Sequence, residues 1–101
     1  MDEKEIEQEL EDNGASTNRV TPGKLDELIK SEQYHVFEGT TVTVCALTLK
    51  NEFVVVGQSA AADPANFDAH IGQKIARDDA RNKVWSLEGY LLKQKLFEGE
   101  L

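Results

Sequence analysis

Three basic side chains near the C-terminus are the strongest candidates for ligand chemistry in this sequence. Lys74, Arg77 and Arg81 follow one another at intervals of three and four residues, so a helix would place them on one side. A guanidinium group can bind phosphate oxygens through two parallel hydrogen bonds and can stack on a nucleobase. The cluster therefore suits a small ligand that carries phosphate.

Polar and aromatic residues flank this basic cluster and extend the candidate site. Asn66 and Phe67 stand where the helix is predicted to begin, and the backbone donors of a helix N-terminus attract anions. An aromatic ring at that point would complement the forked guanidinium groups. The predicted ligand-binding residues are Asn66, Phe67, Lys74, Arg77, Arg81 and Asn82.

The same basic residues also admit a purely structural interpretation, a salt-bridged helix surface. In that case Lys74 would pair with Asp78, and Arg81 would pair with Asp78 or Asp79. The two adjacent aspartates are not a convincing catalytic pair, because neighbouring residues on a helix point about 100° apart. The sequence leaves the choice between a ligand site and a salt-bridged surface open.

No pattern in the chain indicates catalysis or metal binding. A nucleophile elbow, a P-loop, a dinucleotide fingerprint and a zinc-protease motif are all lacking from the sequence. His35 and His70 are far apart, and the single Cys45 lies in an apolar, strand-like run, which favours a buried structural thiol. We expect no enzymatic activity, no cofactor and no metal site.

Charge is distributed unevenly along the chain. Of 101 residues, 11 are Lys or Arg and 19 are Asp or Glu, which gives a net charge of −8 and argues against nonspecific nucleic-acid binding. Residues 2–12 carry a net charge of −6, whereas residues 71–95 carry +3. We expect an acidic helix or tail over 1–18 and a single domain over 19–101, with no membrane span and no signal peptide.

The elements expected from residue patterns define an α+β fold. Thr21 and Pro22 favour a helix start, and β-branched runs on either side of Lys50-Asn51 predict a hairpin. YHVFE, at 34–38, is either a short strand or an extended connector. The expected order is a short helix over 2–12, the helix LDELIKSEQ, strands over 40–49 and 52–59, and a long helix over about 66–97 packed on the sheet.

Small residues predict how the long helix packs. Gly72, Ala76 and Ala80 recur every four residues, so their stripe lets another backbone, most simply the sheet, approach closely. Neither face of the predicted hairpin is strongly polar, which predicts cover by helices or by another subunit. Gly89 interrupts the helix and indicates either close packing or a kink.

Three segments also resemble a family of small tailed-phage proteins. They are RVTPGKLDELI, TVCALTLKNEFVVVGQSA and DPANFDAHIGQKIARDDARNKVWSLEGYLL, and the resemblance covers residues 19–96. Two positions depart from the family pattern. The turn reads Asn51-Glu52 where the family usually has Asn-Gly, and His70 replaces an acidic residue.

The family is similar to phage anti-Thoeris sponge proteins, which bind a cyclic ADP-ribose isomer without degrading it. The resemblance implies a homo-oligomer in the host cytoplasm that sequesters a nucleotide-derived immune signal, a cyclic ADP-ribose isomer or a cyclic oligonucleotide. The alternative is a phage protein that inhibits a host protein by direct binding, with the acidic N-terminal segment in the interface.

Overall fold

The chain folds into a three-stranded antiparallel sheet with one long helix packed across one face, which confirms the α+β class. The structure is a computed structural model that describes residues 2–101. The strands lie in the order β1-β2-β3. The elements are α1 (Glu3–Asp12), α2 (Pro22–Leu28), β1 (Ile29–Val36), β2 (Val42–Leu49), β3 (Val54–Ala60), a 3-10 turn (Pro64–Asn66) and α3 (Ala69–Phe97).

Side-chain caps fix where the three α-helices begin. Asp2 accepts from Glu5 N and completes a capping box, Thr21 accepts from Lys24 N, and Asp68 accepts from Ile71 N. Each cap satisfies a backbone donor that has no partner within the first helical turn. The expected N-terminal helix and the helix start at Thr21-Pro22 are confirmed. The long helix was expected from about residue 66, which is wrong by three residues, because Pro64–Asn66 forms a separate 3-10 turn and Asp68 caps α3 at Ala69.

The second helix is shorter than its sequence predicts. The expectation of helix through LDELIKSEQ is wrong after Leu28, because Ile29 already pairs with Leu49 and begins β1. β1 also includes most of the YHVFE segment. Hydrogen bonds to β2 outweigh the helix propensity of polar residues such as Glu32 and Gln33, which pair with Leu47 and Ala46.

The turn between β2 and β3 is a tight hairpin, and its strained residue is Glu52. Glu52 has φ of +72°, and its N–H donates to Leu49 O at 2.9 Å. Asn51 accepts from Phe53 N at 3.0 Å. Glu52 stands where the resembled family usually has glycine, the residue that adopts positive φ without strain. An ion pair with Lys30 of β1 holds the Glu52 side chain.

The core lies between the sheet and the small-residue stripe of α3. Ala76, Ala80 and Val84 are fully buried against Leu47 and other residues of β2 and β3. Gly57 of β3 makes the closest approach, since a Cβ added there would lie 2.2 Å from Ala80 N and 2.3 Å from Ala76 O. The predicted packing of the stripe on the sheet is therefore confirmed.

The opposite face of the sheet is not covered by this chain. Val54 and Val56 are 49% and 48% exposed, and they pair with Thr48 and Ala46 on the same open face. Of the two faces that were expected to be covered, α3 covers one within a single chain, and cover of the other by a second subunit stays a prediction. α3 runs through Gly89 without a break, and a Cβ built there has no neighbour within 4 Å among residues 2–101, so close packing at Gly89 against another copy stays a prediction.

Candidate functional site

Arg77 connects α3 to the first strand. Its Nε donates to Glu32 Oε2 at 2.8 Å, and Tyr34 OH donates to the other oxygen of the same carboxylate at 3.1 Å. The hydrogen bond from Arg77 lowers the pKa of Glu32, and the same bond raises the pKa of the guanidinium. Arg77 is thus held as a partner of a carboxylate in the folded chain.

The Tyr34 hydroxyl also faces the buried thiol of Cys45. Burial raises the pKa of Tyr34 and the pKa of Cys45, because it withholds the water that would stabilise their charged forms. The Cys45 side chain is fully buried in the core. The prediction of a structural thiol is therefore confirmed as to its location.

Arg81 joins three helices. Its Nε donates to Asp26 Oδ1 of α2 at 3.0 Å, and its Nη1 donates to Glu3 Oε1 of α1 at 2.9 Å. Its guanidinium carbon lies 5.9 Å from the ring centre of Trp85, and its side chain is only 12% exposed. Burial by itself lowers the pKa of Arg81, but the bonds to Glu3 and Asp26 raise it overall.

Two other residues of the predicted ligand site lie on the surface of α3. Lys74 and Asn82 are both exposed, and they do not share the carboxylate partners of Arg77 and Arg81. A salt-bridged surface does exist, but the expected pairing of Arg81 with Asp78 or Asp79 is wrong. Arg77 pairs with Glu32 of β1, and Arg81 pairs with residues of α2 and α1. These partners are distant in sequence, so helical spacing alone could not identify them.

A separate cavity of about 210 Å³ lies at the start of α3. Asn66 and Phe67 line it, together with the hydroxyl-bearing Thr41 and Ser59 at one end of β2 and β3 and the apolar Ile71. The Thr41 hydroxyl donates to Ala61 O at 2.7 Å, and the Ser59 hydroxyl donates to Gly72 O at 2.7 Å. Both hydroxyl oxygens therefore retain lone pairs that can accept hydrogen bonds from a ligand.

The structure brings together only part of the predicted site. Asn66 and Phe67 share the cavity, whereas neither Arg77 nor Arg81 lines it. Thr41 and Ser59 were missed because they carry no motif. They meet the start of α3 because of the register of β2 and β3, which pairs Thr43 with Ser59.

The described residues form neither a recognisable metal centre nor a membrane-spanning helix. Within residues 2–101, no group of three or more His, Cys, Asp or Glu side chains is arranged to hold a metal ion. None of the helices in that range combines the length and the apolar character that are needed to cross a membrane.

Comparison with known proteins identifies one family. The sequence model of a family described as Phage protein (N4 Gp49/phage Sf6 gene 66) matches residues 20–96, which include every element from α2 to the last turn of α3. No curated protein and no solved structure gives a significant match. The acidic helix α1 lies outside the matched residues.

Proposed function

Because the chain belongs to the Phage protein (N4 Gp49/phage Sf6 gene 66) family, we propose that it is a phage anti-defence protein that binds a nucleotide-derived immune signal without catalysis. The signal is a cyclic ADP-ribose isomer or a cyclic oligonucleotide, and the place of action is the host cytoplasm. The observation that carries the proposal is the cavity at the start of α3. It combines an aromatic ring, an amide and two hydroxyls, which are the groups that stack on a base and bind a ribose.

The size of this cavity favours an assembly of several copies. Pockets that enclose a drug-sized ligand usually measure about 300–1,000 Å³, whereas this one measures about 210 Å³. A cyclic dinucleotide or ADP-ribose isomer therefore needs further walls. We propose that a second copy supplies them by packing over the exposed side chains of Ile71 and Ile75, which line the cavity.

The arginines have a defined part in this proposal. Arg77 and Arg81 already hold carboxylates, which are chemically similar to the phosphate oxygens of the ligand. Because neither arginine lines the cavity of its own chain, a phosphate would reach them only from the cavity of a neighbouring copy. It would bind by exchanging with Glu32 or Glu3, whose side chains are 40% and 47% exposed. Ligand binding would then loosen α1 or β1 side-chain contacts without unfolding the core.

Calorimetric titration with cyclic ADP-ribose isomers and with cyclic di- and trinucleotides tests the proposal. We expect saturable heat with one of these compounds, a loss of binding in Phe67→Ala, and unchanged binding in the matched control Phe53→Ala, whose ring lies in the β2–β3 turn. Chromatography should recover the ligand intact. Absence of heat with every compound at high micromolar concentration would rule the function out.

Mass-resolved size measurement tests the assembly separately. We expect a homo-oligomer whose mass either stays constant or increases when the ligand is added. A strict monomer with and without ligand would contradict the shared-wall argument. Unchanged affinity in both Arg77→Ala and Arg81→Ala would remove the arginines from the site but leave the function standing.

A second candidate function is direct inhibition of a host protein through α1. Glu3 and Glu7 attach this helix to Arg81 and Arg19, but α1 buries none of its own residues. Its other carboxylates lie at exposed positions, where a basic partner can contact them. The exposed acidic residues outside those two ion pairs are Asp2, Glu5, Glu9, Glu11 and Asp12.

A variant with three fewer negative charges on α1 separates the two functions. Glu5→Gln/Glu9→Gln/Glu11→Gln leaves Glu3 and Glu7 in place, so α1 should remain docked. Loss of anti-defence activity in infected cells would favour a protein partner. Full activity together with unchanged calorimetric binding would favour the ligand site.

A further inference from the structure

The outer edge of β3 is capped by side chains instead of by a fourth strand. β3 pairs with β2 on one side only, so its outward backbone groups need other partners. Gln58 N–H donates to Asp79 Oδ2 at 2.9 Å, and Val56 C=O accepts from Lys83 Nζ at 2.6 Å. Two of the outward backbone groups in the middle of this edge, which an incoming strand would use, are therefore occupied.

The spacing of the two capping residues matches the spacing of the two backbone groups. Asp79 and Lys83 lie one helical turn apart on α3, and their charged atoms are 3.8 Å from each other. Gly57 lies between Val56 and Gln58, and its lack of a side chain lets the α3 backbone come close enough for both side chains to reach the edge. The close approach that forms the core thereby also positions the cap.

We propose that Asp79 and Lys83 take the place of a neighbouring strand and keep β3 from pairing with β3 of a second copy. An open edge next to exposed Val54 and Val56 would be a template for an antiparallel strand of identical sequence. With the edge capped, a second copy is left with the face of the sheet and not its edge. This role does not depend on the identity of any ligand.

The double variant Asp79→Ala/Lys83→Ala tests the proposal in the full-length protein. The matched control is Asp78→Ala/Lys93→Ala, which removes one negative and one positive charge from exposed positions on the same helix. Sedimentation velocity over the micromolar range should give the double variant a weight-average mass about twice that of the wild type or more, because each freed edge can pair with another. The control should sediment like the wild type.

Hydrogen exchange shows whether the new contact is made by β3. In the double variant at low protein concentration, the backbone N–H of Gln58 should exchange faster than in the wild type. It should become protected again as the protein concentration rises. A double variant that sediments like the wild type at every concentration would overturn the proposal, and so would larger species in which β3 exchange does not depend on concentration.

Single variants keep the test decisive if the double variant does not fold by circular dichroism. Asp79→Ala frees only the N–H of Gln58, and Lys83→Ala frees only the C=O of Val56. Each should raise self-association by less than the double variant would. Two folded single variants that both behave like the control would also overturn the proposal.

Discussion

Replacement of Gly57 by alanine should be among the most damaging single-methyl changes in this protein. The added Cβ would lie 2.2 Å from Ala80 N, 2.3 Å from Ala76 O and 2.8 Å from Ala80 Cα. All three are backbone atoms of α3, so no side chain can rotate away. Since carbon contacts are comfortable only at about 3.5 Å, the helix must retreat from the sheet by roughly 1.2 Å.

The size of the effect follows from this retreat. A gap of about 1 Å forfeits up to roughly half of the dispersion energy of each contact it separates. The contacts at risk are those of Ala76, Ala80 and Val84 with the sheet, which form the centre of the core. Overpacking usually costs about 1–3 kcal/mol, and movement of a whole helix puts Gly57→Ala at about 3 kcal/mol or more. A domain of this length is stable by only about 5–15 kcal/mol.

Urea denaturation followed by circular dichroism measures this difference. We expect the unfolding midpoint to fall by about 2 M for Gly57→Ala, given a slope of about 1–3 kcal/mol per molar urea. Gly89→Ala is the matched control, because its Cβ meets nothing within 4 Å and it lies inside a helix. That control should gain about 0.5–1 kcal/mol from reduced backbone entropy. A loss below about 1 kcal/mol for Gly57→Ala would refute the close-approach argument.

Three further predictions concern individual buried or paired groups. The fully buried Thr43 hydroxyl has no hydrogen-bond partner among residues 2–101, so Thr43→Val should raise the free energy of unfolding by about 1 kcal/mol. A lower free energy of unfolding for the variant in urea denaturation would show that the hydroxyl is satisfied. The Arg77 bond lowers the folded-state pKa of Glu32 below its usual 4.5. At neutral pH the free energy of unfolding of the wild type should therefore exceed that of Arg77→Gln by about 0.2–1 kcal/mol. This difference should disappear as the pH falls through the folded-state pKa of Glu32. A difference in stability that persists at acid pH would contradict this linkage. Finally, the Cys45 side chain is fully buried, so an aromatic disulfide reagent should label it only through unfolding of the protein, and rapid labelling of the native protein would be evidence against a sealed core.

Much of the fold is predictable because its signals are local. Capping residues such as Thr21 and Asp68 hydrogen-bond within their own helical turn, so the sequence alone contains both partners. The periodic small residues of α3 predict a close packing surface for the same reason. The end of α2 was not predictable, because residues 29–33 leave the helix only when β2 is present to pair with them.

The candidate site was predictable only in part. Asn66 and Phe67 were identified from their place at the start of a helix, and they do line a cavity. Thr41, immediately before β2, and Ser59 of β3 complete that cavity, and they meet only through sheet register, which no local pattern reveals. Asp79 looked like a solvated surface residue, yet it accepts from the backbone of β3 at a separation of 21 residues.

The sequence by itself therefore determined the start of α2, the hairpin of β2 and β3 and the surface that α3 presents to the sheet, because these depend on side chains a few residues apart. Only the tertiary structure decided what the charged groups do. Arg81 meets Glu3 and Asp26 across separations of 78 and 55 residues. An ion pair depends on distance in space, and for these residues the packing of three helices and a sheet sets that distance.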